Sequence, residues 1–190
     1  MQDKPDRRSN ATRRAEMRKK LIVEARAQFV HHGFAATSTP DIVRGAGVTR
    51  GALYHHFADK HALFDAVVVA EADALRRDID AAARGPAALA DGTRAFFEAM
   101  TVPGRARLLL VDGPAVLGVV RMDEVDAGGG RASLLEGLAA DAPDMTDAER
   151  IALAEVLSAA FDRAALSVAG GAPVAPYLAA MLRLVDRANS

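Results

Sequence analysis

Apolar residues recur at helical spacing along most of the chain, and no stretch alternates apolar and polar positions as a half-buried strand would. Leu21, Ile22, Ala25 and Phe29 share one face of a helix that begins near Thr12, with Arg18, Lys19 and Arg26 off that face. Gly33 is placed to end it. Thr39 then precedes Pro40 and Asp41, an N-cap followed by proline and an acid at the positive helix end, which predicts a short helix to about Ala46. Gly47 supplies a tight turn with Val48 as an apolar plug beneath it. Thr49 caps a second short helix over 50–57, and Asp59 caps a long one over 60–83. Leu53 and Phe57, at i and i+4, are expected to face the core with Ala46 and Val48. Residues 1–11 carry no apolar periodicity and read as a disordered basic arm.

Beyond Gly85-Pro86 the pattern predicts helices over 87–100, 105–111, 114–126, 132–139, 146–169 and 174–188. They are separated by Pro103-Gly104, Gly113-Pro114, the Gly128–Gly130 run, Pro143, and Gly170-Gly171 with Pro173. The glycine run has no preceding strand and no following Lys or Ser/Thr in register, so it reads as a linker, not a phosphate loop. The fold class is therefore all-α: a three-helix helix-turn-helix module over 12–60, then a helical domain over 61–190.

Charge changes this picture. The formal net charge of the 190 residues is −1, which taken whole argues against a nucleic-acid partner. Residues 1–60, however, hold 12 basic and 6 acidic side chains, whereas 61–190 hold 12 arginines and 19 acids, so the chain joins a cationic module to an anionic one. Cysteine is absent, which excludes disulfides, thiolate metal sites and a cysteine nucleophile. After His61 there is no further His or Lys, so a Ser-His-Asp triad, a lysine Schiff base and a histidine metal site are excluded from 62–190. The expectation is a non-enzyme without cofactor or metal; adjacent histidines, as in His31-His32 and His55-His56, diverge by about 100° on a helix and form no chelate. The opening residues lack an apolar signal core and no uninterrupted apolar stretch is long enough to span a bilayer, so the expected location is the cytoplasm, away from membranes.

Two short helices joined by a glycine-containing turn form a helix-turn-helix, whose second helix presents its N-terminal side chains to a major groove. With Leu53 and Phe57 turned inward, Thr49, Arg50, Gly51, Tyr54 and His55 remain for DNA. Gly51 costs about 1 kcal/mol relative to Ala inside a helix, which close approach to a groove or phosphate would explain. Over about 50 residues the segment resembles the TetR/AcrR-type transcriptional regulators. The resemblance is carried by Thr39, Asp41, Ile42, Ala46, Gly47, Val48, Thr49, Gly51, Leu53, Tyr54, His56, Phe57, Lys60 and Leu63, with Val43 a departure where the family often has Ala. It implies that Thr39, Tyr54, His55 and Lys60 bind backbone phosphates and that Thr49, Arg50 and Gly51 lie against base edges. Arg50 is the candidate for bidentate reading of a guanine. His56 packs within the unit or contacts DNA.

The same resemblance implies that the second domain encloses an effector. Phe96, Phe97, Met100, Leu109, Val116, Leu117, Val120 and Phe161 are candidate pocket residues, for which ordinary core packing is the alternative account. Asp112 either caps the helix beginning at Pro114 or anchors a ligand. The helix over 146–169 is apolar nearly all round and so is expected to be buried on two sides. With the last helix it is expected to form a homodimer interface through Val156, Ala160, Ala164, Leu178, Met181, Leu182 and Val185. The expectation is a ligand-responsive homodimeric repressor on a palindromic operator in double-stranded DNA, released by a small-molecule effector. The alternatives are a regulator with a filled core under a protein partner's control, and an enzyme carrying an accessory DNA module.

Overall fold

The computed structural model describes residues 7–141 and 144–188, and among these every regular element is a helix. Helix α1 (Arg7–Ala36) starts five residues before the expected Thr12, because nothing in Arg7–Ala11 breaks a helix and the nearest upstream breaker is Pro5. Only residues 1–6 of the expected arm lie outside the described residues. Contacts divide the chain into two units, Met1–Val67 and Val68–Ser190. The division falls within α4 (Lys60–Ala82), so the first turns of that helix pack with the first unit instead of opening the second.

In the first unit, helical geometry in α1 breaks at Gly33, where φ is 77°. Helices α2 (Thr39–Gly45) and α3 (Arg50–His56) follow, joined by the four residues Ala46–Thr49. The N-cap of α2 is Ser38, not Thr39: the Ser38 hydroxyl accepts from the Asp41 amide and donates to the Asp41 carboxylate at 2.6 Å. That bond, reinforced by Arg44, holds the Asp41 carboxyl below its ordinary range. Leu21, Ala25, Phe29, Ile42, Leu53, Leu63 and Phe64 are fully buried, each contributing about 1.5–3 kcal/mol for its larger members. Phe29, Phe34 and Phe64 meet at ring centroids of 5.0–5.8 Å.

The second unit contains most of α4, then α5 (Ala88–Ala99), α6 (Arg105–Arg107), α7 (Gly113–Leu117), α8 (Val119–Gly128), α9 (Gly130–Asp141), α10 (Asp147–Ala169) and α11 (Val174–Ala188). Gly113-Pro114 does not break the chain direction. A π-helical turn, Leu108–Asp112, carries α6 into α7, and the real break is Gly118, at φ 81°. Gly113 is needed there for close approach, since a Cβ would lie 2.8 Å from the Leu108 oxygen and 2.9 Å from the Met122 sulfur. Thr146 and Glu149 form a reciprocal capping box at the start of α10. The inner stripe of α10 (Ala154, Leu157, Ser158, Phe161, Ala164, Ala165) packs toward α9 and α11, and α11 also packs on α5.

Two buried arginines tie this unit together. Arg105, 5 % exposed, donates to Glu71 at 3.3 Å, to Asp78 at 2.9 Å and to the Ala99 carbonyl at 3.0 Å. Arg131 lies 2.9 Å from Asp123, 3.5 Å from Asp126 and 3.7 Å from Glu155. Removing a buried cation leaves its carboxylates without compensation. Arg105→Ala is therefore expected to destabilise the chain by about 3–5 kcal/mol in urea unfolding, and a loss below about 1 kcal/mol, the range of a surface pair, would contradict the role assigned to it.

Candidate functional site: a nucleic-acid interface and an apolar chamber

The turn between α2 and α3 is closed by backbone bonds from Ala46 to Ile42, Gly47 to Arg44 and Val48 to Val43, which fix where α3 begins. The Thr49 hydroxyl caps α3 by accepting from the Ala52 amide at 3.2 Å. Leu53 and Phe57 are buried beneath the helix, while Thr49, Arg50, Gly51, Tyr54 and His55 are exposed. The Arg50 guanidinium lies 5.5 Å from the centroid of the Tyr54 ring. Hydrogen bonding with the Thr39 side chain, and secondarily with Arg50, holds the Tyr54 hydroxyl below its ordinary range. Thr39 at the start of α2 and Arg50 and Tyr54 on α3 thus form one connected polar surface. His56 is half-buried; desolvation, and then the charges of His55, Arg14 and Arg18, lowers its pKa, as fits a packed, neutral ring.

Gly51 is informative because nothing in the fold requires it. A Cβ there would meet only the Thr49 hydroxyl oxygen, at 3.9 Å. The helix accepts the cost of glycine with no internal packing return.

Lys60 is engaged differently from the phosphate contact expected of it. Its ammonium donates to the Phe34 carbonyl at 2.8 Å and the Thr37 carbonyl at 3.0 Å, and sits 4.3 Å from the centroid of the Phe34 ring. The donors are spent at the end of α1 and on Thr37 just beyond it, where a helix runs out of amides for its last carbonyls.

In the second unit, two neighbouring cavities of about 430 and 500 Å³ open between helices. Both are lined by Leu75, Asp126, Gly130, Ser158 and Asp162. Phe96 and Phe161, 4.9 Å apart, wall the first, and Met100 and Leu109 the second. Phe97, Asp112, Val116, Leu117 and Val120 line neither. Phe97 is buried beside Phe161, in the core. Asp112 neither caps a helix nor faces a cavity; it lies inside the helical run and pairs with Arg107 at 3.1 Å. Val120 is 74 % exposed, because the break at Gly118 restarts the helix in a new register.

The dimer candidates also divide. Val156 on α10 is 67 % exposed, and Ile151 and Leu184 beside it in the pattern are exposed too. Ala160, Leu178 and Leu182 are half-buried. Ala164, Met181 and Val185 are corrections: they are buried inside the single chain, on the inner stripes of α10 and α11, and present nothing outward. Residues passed over by sequence reasoning are Leu75, Ile79, Leu89, Thr93, Asp126, Ser158 and Asp162. Asp162 had a signal available, as an acid amid the apolar residues of α10.

Residues 86–187 match the family model described as "Tetracyclin repressor-like, C-terminal domain", and residues 21–67 match "Bacterial regulatory proteins, tetR family". The chain belongs to the TetR family. A solved TetR-family transcriptional regulator from Pectobacterium atrosepticum is 30 % identical, with a TM-score of 0.62 over 92 % of this chain and 93 % of that one. The "Probable acrEF/envCD operon repressor" of Escherichia coli is 50 % identical over 48 residues, and the "HTH-type transcriptional repressor KstR2" of Mycobacterium tuberculosis 46 % over 48. Each of these two matches covers 25 % of this chain, and they span only 22 % and 24 % of those relatives' own lengths. Among the described residues, no helix of this TetR-family chain is long and apolar enough to cross a membrane.

Two substitutions separate the roles assigned in the helix-turn-helix unit. Gly51→Ala is expected to stabilise the free chain by up to about 1 kcal/mol while weakening DNA binding roughly tenfold, the order of one lost base contact. Thermal unfolding and fluorescence anisotropy on a duplex read the two effects; unchanged binding would contradict a DNA-side role for Gly51. Lys60→Met is expected to cost about 1.5–3 kcal/mol of stability with no DNA present, through the lost charged hydrogen bonds.

Proposed function

We propose that this TetR-family chain is a homodimeric transcriptional repressor that reads a palindromic operator through α3 and is released when a small-molecule effector occupies the chamber of its second unit. The observation that carries the reading is the exposed polar face of α3, on which Gly51 is free of any internal packing demand. Thr49, Arg50 and Gly51 lie against base edges, and Thr39, Tyr54 and His55 bind phosphates through hydroxyl and imidazole groups. Lys60 acts on the same surface by holding the frame beneath it. The names of the Escherichia coli and Mycobacterium tuberculosis relatives, both repressors, support repression over activation. A two-fold dimer supplies two recognition helices to successive major grooves, and the exposed Val156, Ile151 and Leu184 offer apolar surface for it.

The two cavities favour an effector over a filled core governed by a protein partner. Their walls mix aromatic and aliphatic side chains with a few polar groups, the usual composition of a small-molecule site. Release of DNA is a population shift, and the affinity lost equals the effector's preference for the DNA-incompetent state.

Anisotropy titrations on duplexes from the chain's own upstream DNA test this. The chain is expected to prefer them to scrambled duplexes and to lose affinity steeply as salt rises. Arg50→Ala is expected to narrow the gap between specific and scrambled DNA by about 1–3 kcal/mol, leaving the salt slope nearly unchanged. Equal binding of both duplexes by the unaltered chain would contradict the proposed function.

A further inference from the structure

The carboxylates lining the two cavities are unequally compensated. Asp80 and Glu136 both pair with Arg76, at 3.2 and 2.6 Å. Asp123, Asp126 and Glu155 all lie within 4 Å of Arg131. Asp126 also accepts from the Ser158 hydroxyl at 2.9 Å. Asp162 differs: among the described residues it has no hydrogen bond and no arginine, although it borders both cavities. An uncompensated carboxylate in a chamber walled by Phe96, Phe161, Leu75, Leu89 and Leu134 is costly to ionise, and no cation among the described residues offsets that cost.

We propose that the chamber takes a lipophilic cation, with its quaternary or protonated nitrogen set against Asp162 and Asp126 and its apolar body along Phe96 and Phe161. This rests on the reading of the second unit as an effector chamber and adds the chemical class of the effector. The cation replaces the missing arginine, and the faces of the two phenylalanines add attraction to the same positive charge. An anion would meet two carboxylates, and a neutral ligand would leave Asp162 as it stands. Burial, and then the charge of Asp126, pushes the Asp162 carboxyl up to about 7. The other charged groups on these walls are Asp80, Glu136, Asp123, Glu155 and Arg131, each already paired. A bound cation favours the ionised carboxylate, so binding expels a proton near neutrality and tightens as pH rises through 7. The same raised pKa means that the fold loses stability as pH rises from about 4 to about 7, a loss that Asp162→Asn removes.

The experiment is calorimetric titration of the full chain with benzyltrimethylammonium, its uncharged carbon isostere neopentylbenzene, and phenylacetate, each at pH 6 and pH 8. The expected result is binding of the cation in preference to the other two, about tenfold tighter at pH 8 than at pH 6 as one carboxyl near 7 titrates. Neopentylbenzene is expected to show no pH dependence. In Asp162→Asn the pH dependence and the preference for the cation should disappear, with neopentylbenzene binding kept; the unaltered chain's pH profile serves if that variant fails to fold. Equal affinity for cation and isostere, independent of pH, overturns the cation assignment and leaves the effector chamber standing. Failure of all three probes to bind overturns the assignment and counts against the chamber as well, while DNA binding is judged separately by its own titration.

Discussion

Lys60 donates to the carbonyl oxygens of Phe34 and Thr37 with its ammonium over the Phe34 ring, and the geometry of the helix-turn-helix depends on that knot. The charge closes the end of α1 at the residues from which α2 departs, Ser38 capping the first turn of α2 immediately afterwards. Beneath it, Phe29, Phe34 and Phe64 leave little room for alternative packing. With α1 and α2 fixed, the short turn through Gly47 determines which face of α3 is buried, and therefore which residues are presented to a partner.

The second unit is organised by buried positive charge of a different kind. Arg105 is buried against Glu71 and Asp78 of α4, and Arg131 against Asp123 and Asp126 of α8 and Glu155 of α10, so that each buried cation is compensated locally. This arrangement gives the uncompensated Asp162 its meaning. The other cavity-lining carboxylates have arginine partners, whereas Asp162 has none among the described residues, and the proposed cationic ligand would meet it there.

The helix-turn-helix was largely legible in the sequence because its signals are local. Caps at Thr49 and Asp59, the turn at Gly47 and the apolar pair Leu53 and Phe57 each act within a few residues. The sequence is less informative where partners are distant. Lys60 reads as a phosphate ligand, and the sequence gives no sign that its ammonium also meets the carbonyls of Phe34 and Thr37, more than 20 residues away. Thr39 reads as the cap because Ser38 is an equal candidate one residue earlier, and only the backbone decides between them. In the second unit, Gly113-Pro114 looks like a stop, yet a π turn passes it and Gly118 breaks the chain instead, which displaces Val120 from the chamber to the surface. The apolar pattern of α10 and α11 does not say which stripe turns inward, so Ala164, Met181 and Val185 could not be separated from Val156 without the packing partners. Asp126 and Asp162 lie on different helices, and sequence spacing carries no trace of their sharing a wall.

Net charge of −1 conceals the division of labour between a cationic reading unit and an anionic second unit. The central claim is that α3 enters the major groove twice per operator, once from each copy. The absence of native cysteine allows a direct measurement: place a single cysteine at Ala58, just beyond α3, attach an iron-chelate cleavage reagent, and map the cuts on the chain's upstream DNA. The account predicts two clusters of cleavage related by two-fold symmetry and separated by about one helical turn, 10–10.5 base pairs. A single cluster, or cleavage spread evenly along the duplex, would contradict it.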